Sequence, residues 1–311
     1  MKLRILAITA LAALTITACK KDSKNEVDET TVTEQLTQHS EDQSRVSGDL
    51  DAVDEDINAS VEASPAFGRV VNTFTFPPCD ATISFDSTAT TRIMIITFNG
   101  ATCDSFRTRT GTIYVMQPRN QRWGQPGATL RDSIVNLRIT RRSDNRGITI
   151  NGVRTHTNVS GGRIGMMPVG ATIVHTIEAT MSITFDNNTQ RQWQASRKRT
   201  YTHPGQNLLN IAITGNHSEG GVSDISEWGT NRFGNPFKTR ITEALKLSSE
   251  CRFRLGMGKV LHTGLAHSLE VTYGLNLQGA PTTCPGNAPY YFKAVWTGAN
   301  GNTITVIRPY Y

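Results

Sequence analysis

From Phe67 onward, apolar β-branched or aromatic residues alternate with polar residues in short runs that turn dipeptides separate. Runs of this kind, with a period of two, are typical of strands that have one buried and one polar face. They place about fifteen strands between 66 and 311, and no segment there has a convincing helical period. The sequence therefore predicts an all-β domain over 66–311, built as an extended antiparallel meander or as a large sandwich.

Two turns are predicted at residue level within this domain. Gly147–Ile150 and Val153–His156 flank Asn151-Gly152, the dipeptide that two-residue hairpin turns prefer. We therefore expect a hairpin at that dipeptide. A second hairpin is expected where Asp186-Asn187-Asn188 precedes the strand-like run Gln190–Tyr201.

The chain begins with two basic residues, Lys2 and Arg4, and an apolar run from Ile5 to Ile16. A helix that spans a bilayer needs about twenty apolar residues, so we interpret 1–18 as a signal peptide. The run ends in Ile16-Thr17-Ala18-Cys19, which resembles the bacterial lipobox. The resemblance implies that Cys19 becomes the new N-terminus and carries a diacylglyceryl thioether and an N-acyl chain. More than one chain gives stable anchoring, so the membrane is the first expected partner.

The formal net charge of +6 is divided very unevenly along the chain. Residues 20–65 contain four basic and thirteen acidic residues, whereas the residues after 65 carry a net charge of +13. We therefore interpret 19–65 as a lipidated acidic tether. Its first part, Lys20–Ser40, has no Phe, Tyr or Trp and is expected to be disordered.

The second part of the tether has a helical period. Apolar residues recur three or four positions apart at Val46, Leu50, Val53, Ile57 and Val61, which predicts a short amphipathic helix at about 41–63. Ser64-Pro65 would end this helix. Its apolar stripe needs a surface to pack on, and the β domain is the simplest one.

Four cysteines remain after the lipidation site, namely Cys79, Cys103, Cys251 and Cys284. An oxidising envelope favours two disulfides, for which three pairings are possible. Each of the pairs Cys79–Cys103 and Cys251–Cys284 brackets two strands that can form a hairpin, so we predict local pairing. Their spacing does not resemble a metal site, and we expect neither a metal nor a cofactor.

Arginine and lysine are frequent on the predicted strands. We interpret most of them as exposed residues that prevent pairing between sheet edges. The alternative is a basic face for an anionic ligand such as an anionic polysaccharide, and Arg191, Arg197 and Arg199 are its candidate residues. Nucleic acid is not expected as a partner. His262 and His267 flank a predicted turn and are expected to face solvent.

No catalytic motif is present, and we predict that the protein is not an enzyme. The most suggestive group is Asp224, Glu227 and Trp228, which would place an aromatic ring beside two acids. Glycosidase chemistry needs two carboxyl groups that face each other across a bond. Asp224 and Glu227 would point to opposite faces of a strand.

Several features resemble an uncharacterised Bacteroidetes lipoprotein family, over about Cys79 to Ile307. They are the cysteine-flanked hairpins, the Arg/Thr-rich strand Arg107–Thr112, the segment Phe185–Thr202 and the strand start at Ser249–Cys251. Lys20-Lys21-Asp22 and the acids after it resemble the surface-export signal of such lipoproteins. The resemblance implies a cellular location but no catalytic residue.

The location that the resemblance implies is the bacterial outer membrane, with the cell surface favoured over the periplasmic face. We expect a lipid-anchored envelope protein that acts as a scaffold, an adhesin or a binding module, with another envelope protein as a further possible partner. The alternative is a surface lipoprotein that binds anionic glycans. An enzyme that acts on polysaccharide is a third hypothesis.

Overall fold

The computed structural model describes residues 29–68, 77–264, 268–286, 288–298 and 301–310. It contains one long helix, α1 (Glu29–Ala63), and fifteen strands in one antiparallel sheet. The predicted all-β class is therefore confirmed. The strands are β1 (Ala81–Phe85), β2 (Thr91–Ala101), β3 (Arg107–Pro118), β4 (Ala128–Arg141), β5 (Gly147–Asn158), β6 (Thr172–Phe185), β7 (Gln190–Gly205), β8 (Leu208–Gly215), β9 (His217–Glu219), β10 (Val222–Thr230), β11 (Pro236–Ser248), β12 (Leu255–Thr263), β13 (Ser268–Leu275), β14 (Tyr290–Thr297) and β15 (Thr303–Tyr310).

The strands are joined in chain order with one interruption. The order runs from β1 to β7 and then from β10 to β15. The first part of β7 pairs with β10 and its second part with β8, and β11 pairs with the same two strands. β8 and β10 therefore lie end to end between β7 and β11. Of the two architectures expected from the sequence, the meander is the one observed.

The hairpin predicted at Asn151-Gly152 is wrong, because β5 runs through both residues without a turn. The dipeptide instead faces a bulge in β4. The side-chain oxygen of Asn151 accepts a hydrogen bond from the backbone N–H of Asn136, at 2.8 Å. A Cβ on Gly152 would lie 2.3 Å from the carbonyl oxygen of Thr180, so the strands can approach only at a glycine. The turn predicted at 186–188 is confirmed between β6 and β7.

The sheet wraps around α1. Between Leu36 and Glu62, Ala52 is the one helix residue that is exposed. A helix that packs on one side of a sheet buries a single stripe and leaves the rest to solvent. The burial of α1 on nearly every side therefore means that the concave face of the sheet encloses it.

The apolar stripe predicted for the helix is confirmed. Val46, Leu50, Val53, Ile57 and Val61 are each at most 2% exposed and belong to the main core. The helix also ends before Ser64-Pro65 as predicted, and the Ser64 side chain accepts a hydrogen bond from the backbone N–H of Ala66.

The start of the helix differs from the prediction. It begins at Glu29 rather than near 41, so the expected disorder of Lys20–Ser40 is wrong for 29–40. Leu36 lies against Leu269 and Trp296 from β13 and β14. This apolar contact with distant strands explains why the helix continues beyond the sequence period that predicted it.

Both predicted disulfides are present, Cys79–Cys103 and Cys251–Cys284. The first joins the ends of the β1–β2 hairpin, in which Ala81 lies opposite Phe98. The second brackets β12 and β13.

The predicted signal peptide, Cys19 and residues 20–28 lie outside the described residues. Among the residues that the structure does describe, no helix has the length and apolar character needed to cross a membrane. In the same part of the chain, no group of three or more His, Cys, Asp or Glu side chains could hold a metal ion.

Candidate functional site

The concave face of the sheet is unusually rich in arginine. On β7, alternation points Arg191, Trp193, Arg197, Arg199 and Tyr201 inward, towards α1. The three arginines are 0%, 3% and 0% exposed. The prediction that they form an open basic face is therefore wrong in this structure, and so is the view that they guard an exposed edge. The helix covers all three.

Acids of α1 pair with Arg197 and Arg199, whereas Arg191 donates to the Gln43 side chain of the helix. Arg199 places Nη2 2.5 Å from the Asp51 carboxylate and 3.3 Å from that of Asp54, and its Nη1 lies 2.7 Å from Glu55. Arg197 also contacts Asp51, at 3.1 Å. Five ionisable groups of the helix and β7 thus share one buried cluster, which explains how the arginines tolerate burial.

Similar pairs extend across the sheet. Six acids of α1 are paired with arginines of β3, β5, β7 and the turn after β10, and we call this set the acid ladder. The pairs are Asp42–Arg232, Asp49–Arg107, Asp51–Arg197 and Arg199, Asp54–Arg154 and Arg199, Glu55–Arg199, and Asp56–Arg109. These six acids of α1 therefore face the arginines of the sheet.

Glu227 of β10 is a buried sheet carboxylate at this interface. It accepts hydrogen bonds from Arg197 and Gln43, from the Trp193 indole at 2.8 Å and from Ser47 at 3.1 Å. Burial alone would raise the pKa of Glu227, but Arg197 and the other donors outweigh it and lower that pKa to about 2. Glu227 is therefore a structural anion that holds the helix to β7.

The carboxylate pair considered for catalysis does not form. Glu227 is buried, whereas Asp224 lies on the exposed part of β10 and bonds to Ser223. Trp228 is on the opposite face from Glu227, where it stacks on His217 at 4.5 Å. The three residues share a strand but not a site.

Burial changes the protonation of other groups around the helix. It raises the pKa of Glu55 to about 8, in spite of Arg199, and that of Asp56 to about 6, in spite of Arg109. His262 is buried rather than solvent-facing as predicted, with its ring 4.9 Å from that of His39. Burial also lowers the pKa of His262 to about 4. His267 lies outside the described residues.

A second feature is a cavity of about 770 Å³ beside the N-terminal half of α1. Its walls are one side of the helix from Gln38 to Asp49, the β4–β5 and β6–β7 turns, and the ends of β14 and β15. Six arginines line it. They are Arg45, Arg107, Arg141, Arg146, Arg232 and Arg308.

Half of these arginines have a close carboxylate partner. Arg107 and Arg232 belong to the acid ladder, and Arg141 binds Asp144 with two nitrogens at 2.5 and 3.0 Å. The other three, Arg45, Arg146 and Arg308, lack such a close partner among the described residues. The cavity therefore differs from the ladder, in which every acid has an arginine at contact distance.

Arg45 directs Nη2 to two backbone carbonyl oxygens and comes no closer than 3.9 Å to Asp49. Arg146 lies 3.9 Å from Asp144, which Arg141 already holds, and its side chain is 65% exposed. Arg308 donates to the carbonyl oxygen of Ile307 and has no described carboxylate within ion-pair distance. These three arginines are the candidate anion-binding groups of the cavity.

The fold and the site together define a sheet protein that encloses an acidic helix and has an arginine-lined cavity beside it. Comparisons with protein-family models, with curated proteins and with solved structures each found no match.

Proposed function

We propose that the protein is a non-catalytic, lipid-anchored component of the bacterial outer membrane, in which α1 couples the anchor to the β domain as in a scaffold or adhesin. The lipobox-like sequence at Cys19 and the likeness to Bacteroidetes lipoproteins support the anchor. Nine residues separate Cys19 from Glu29, a distance of at most about 35 Å for an extended chain. The body would therefore stay close to the membrane, with exposure at the cell surface as the favoured side.

The acid ladder is the observation that supports a mechanical role. A pull on the anchor would enter the body at the N-terminus of α1. The ion pairs of α1 reach β3, β5 and β7, so the load would spread over several strands. Displacing the helix would leave buried arginines and carboxylates without partners, which is strongly unfavourable. A solvated tether would not resist in this way.

Lipidation is tested by growing a native host with radiolabelled palmitate. The wild-type chain should be labelled and should sediment with membranes, and Cys19→Ala should do neither. The four remaining cysteines are paired in disulfides and provide an internal control for labelling at other cysteines. Equal labelling of the two proteins would refute the anchor.

The coupling role is tested by a protease site inserted between Gly68 and Pro77. After cleavage, the β domain should stay with the membrane pellet because α1 still holds it, and urea should release it. The matched control carries the same site between Cys19 and Glu29, where cleavage should release the body at once. Release of the β domain by cleavage after Gly68 alone, without urea, would refute the coupling.

A further inference from the structure

We propose that the arginine-lined cavity is a binding site for an acidic saccharide, an oligosaccharide whose sugars carry carboxylate groups. The inference goes beyond the anchoring role and does not depend on Cys19. It rests on the size of the cavity, its surplus of positive charge and the mixture of groups along its walls. A volume of about 770 Å³ falls within the range of small-molecule sites in proteins.

The charge surplus is local and positive. Six arginines face five lining carboxylates, but one of these, Asp186, is held by Arg138 from outside the cavity and by the backbone N–H of Gly147. Three more are bound to Arg107, Arg141 and Arg232. Only Glu41 remains for Arg45, Arg146 and Arg308. One or two carboxylates of a ligand, placed beside these arginines, would complete the neutralisation.

Arginine suits a carboxylate in this position. Its planar guanidinium offers paired donors that match the two oxygens of a carboxylate. Among the described residues, the hydrogen-bond partners of the partly buried Arg45 side chain are carbonyl oxygens, and burial lowers its pKa. An anion beside it would offset this loss of hydration. Arg146 and Arg308 lie at the exposed side of the cavity, where a ligand would enter.

The remaining lining favours a sugar over a compact polyanion. Glu41 and Asp144 can accept hydrogen bonds from hydroxyl groups, and Ser143 and Asn187 can both donate and accept. Phe292 and Tyr310 supply apolar wall. The same carboxylates would repel a polyphosphate or a densely sulfated chain, because like charges at close range are unfavourable. A ligand with many hydroxyls and few charges can pair with the arginines and also form hydrogen bonds with the carboxylates and the polar side chains.

The test is calorimetric titration of the detergent-solubilised full-length protein with trigalacturonate, maltotriose and tripolyphosphate. Trigalacturonate should bind, and maltotriose, which lacks the carboxylates, should not. Tripolyphosphate should bind more weakly than trigalacturonate. Binding should weaken as salt is raised, because the mouth of the cavity is open to screening.

The decisive variant is the double substitution Arg146→Ala with Arg308→Ala. Both side chains are outside the acid ladder, so the fold should be retained, as thermal unfolding would show. Affinity for trigalacturonate should fall by about tenfold or more, since a hydrogen bond to a charged group is worth at least that factor. The matched control, Arg131→Ala with Lys198→Ala, removes the same charge from exposed strand positions outside the cavity and should bind as the wild type does.

Three results would overturn the proposal. They are the absence of trigalacturonate binding at millimolar ligand, an equal loss of affinity in the control pair, and tighter binding of tripolyphosphate. The first would show that the cavity does not bind an acidic saccharide. The second would show that binding depends only on the net charge of the protein, and the third that the cavity binds another class of ligand. None of them bears on palmitate labelling or on the cleavage test, so the anchoring role can fail or stand separately.

Discussion

Replacing Glu55 by glutamine should make the protein more stable at alkaline pH. The Glu55 side chain is buried within the acid ladder, and its Oε1 accepts a hydrogen bond from Arg199 at 2.7 Å. Its Oε2 has no hydrogen-bond partner among the described residues. Asp51 and Asp54 already neutralise Arg199. Glutamine keeps the acceptor at Oε1 and removes a charge that burial disfavours.

The magnitude follows from the pKa of Glu55, which burial raises from 4.5 to about 8. The folded protein therefore keeps this proton up to about pH 8, whereas the unfolded chain releases it near pH 4.5. Between these values the folded state binds more protons, so the contribution of Glu55 to stability falls as the pH rises. Each pKa unit is worth about 1.36 kcal/mol. Between pH 5 and pH 9 the loss is about 4 kcal/mol, and Glu55→Gln should avoid it.

The assay is urea unfolding of both proteins at pH 5 and pH 9, followed by the fluorescence of the buried tryptophans. Free energies of unfolding obtained by linear extrapolation give the difference between the variant and the wild type at each pH. The matched control is Glu34→Gln, the same change at an exposed position of α1, which should change the free energy of unfolding by no more than about 0.5 kcal/mol. If the difference for Glu55→Gln is equal at the two pH values, Glu55 is ionised in the folded state and the reasoning is refuted.

Three further outcomes are expected from the same unfolding assay. Glu227→Gln should lower the free energy of unfolding at pH 7 by about 3–5 kcal/mol, because Arg191 and Arg197 lose the buried carboxylate that lies within ion-pair distance of both; a change below about 1 kcal/mol, the typical value for an exposed pair, would contradict this. Leu50→Ala should cost about 2–5 kcal/mol through the cavity it leaves, and a smaller cost would mean that α1 is not enclosed. Cys251→Ala with Cys284→Ala should cost about 3–4 kcal/mol, and no loss would show that this disulfide does not constrain the unfolded chain.

Strand content and both disulfides could be predicted because they depend on local pattern. Alternation over five to ten residues indicates a strand with one buried face. A cysteine at each end of a hairpin indicates which residues of its two strands lie side by side. The turn predicted at Asn151-Gly152 is absent because the same dipeptide can also lie within a strand, where Asn151 bonds to the bulge in β4 and Gly152 lets β6 come close. Only the neighbouring strands, β4 and β6, decide between the two structures.

The acid ladder could not be derived from the charge of each segment taken alone. Acids before residue 65 indicated a solvated tether, and arginines after it indicated exposed strands. One signal was present, since Arg191, Arg197 and Arg199 share the parity of Trp193 and Tyr201 along β7. Charged residues in phase with core aromatics point inward, and thirteen acids in the preceding segment could supply the partners. The arginines of the cavity belong to distant turns and strands, and no sequence period connects them.

The enclosure of α1 also determines when the protein can fold. Leu36, near the start of the helix, lines a small apolar cleft together with Leu269, Trp296 and Ile304 of β13 to β15. The helix, which precedes every strand in the chain, thus acquires its last partners from the final strands to be synthesised. Contacts of such long sequence separation slow folding, and until they form, the helix has no complete binding surface. Until β15 is made, the acidic helix of the nascent chain can therefore contact only some of the strands that enclose it in the folded protein. A chain truncated before β14 would lose the strands that cover the start of the helix.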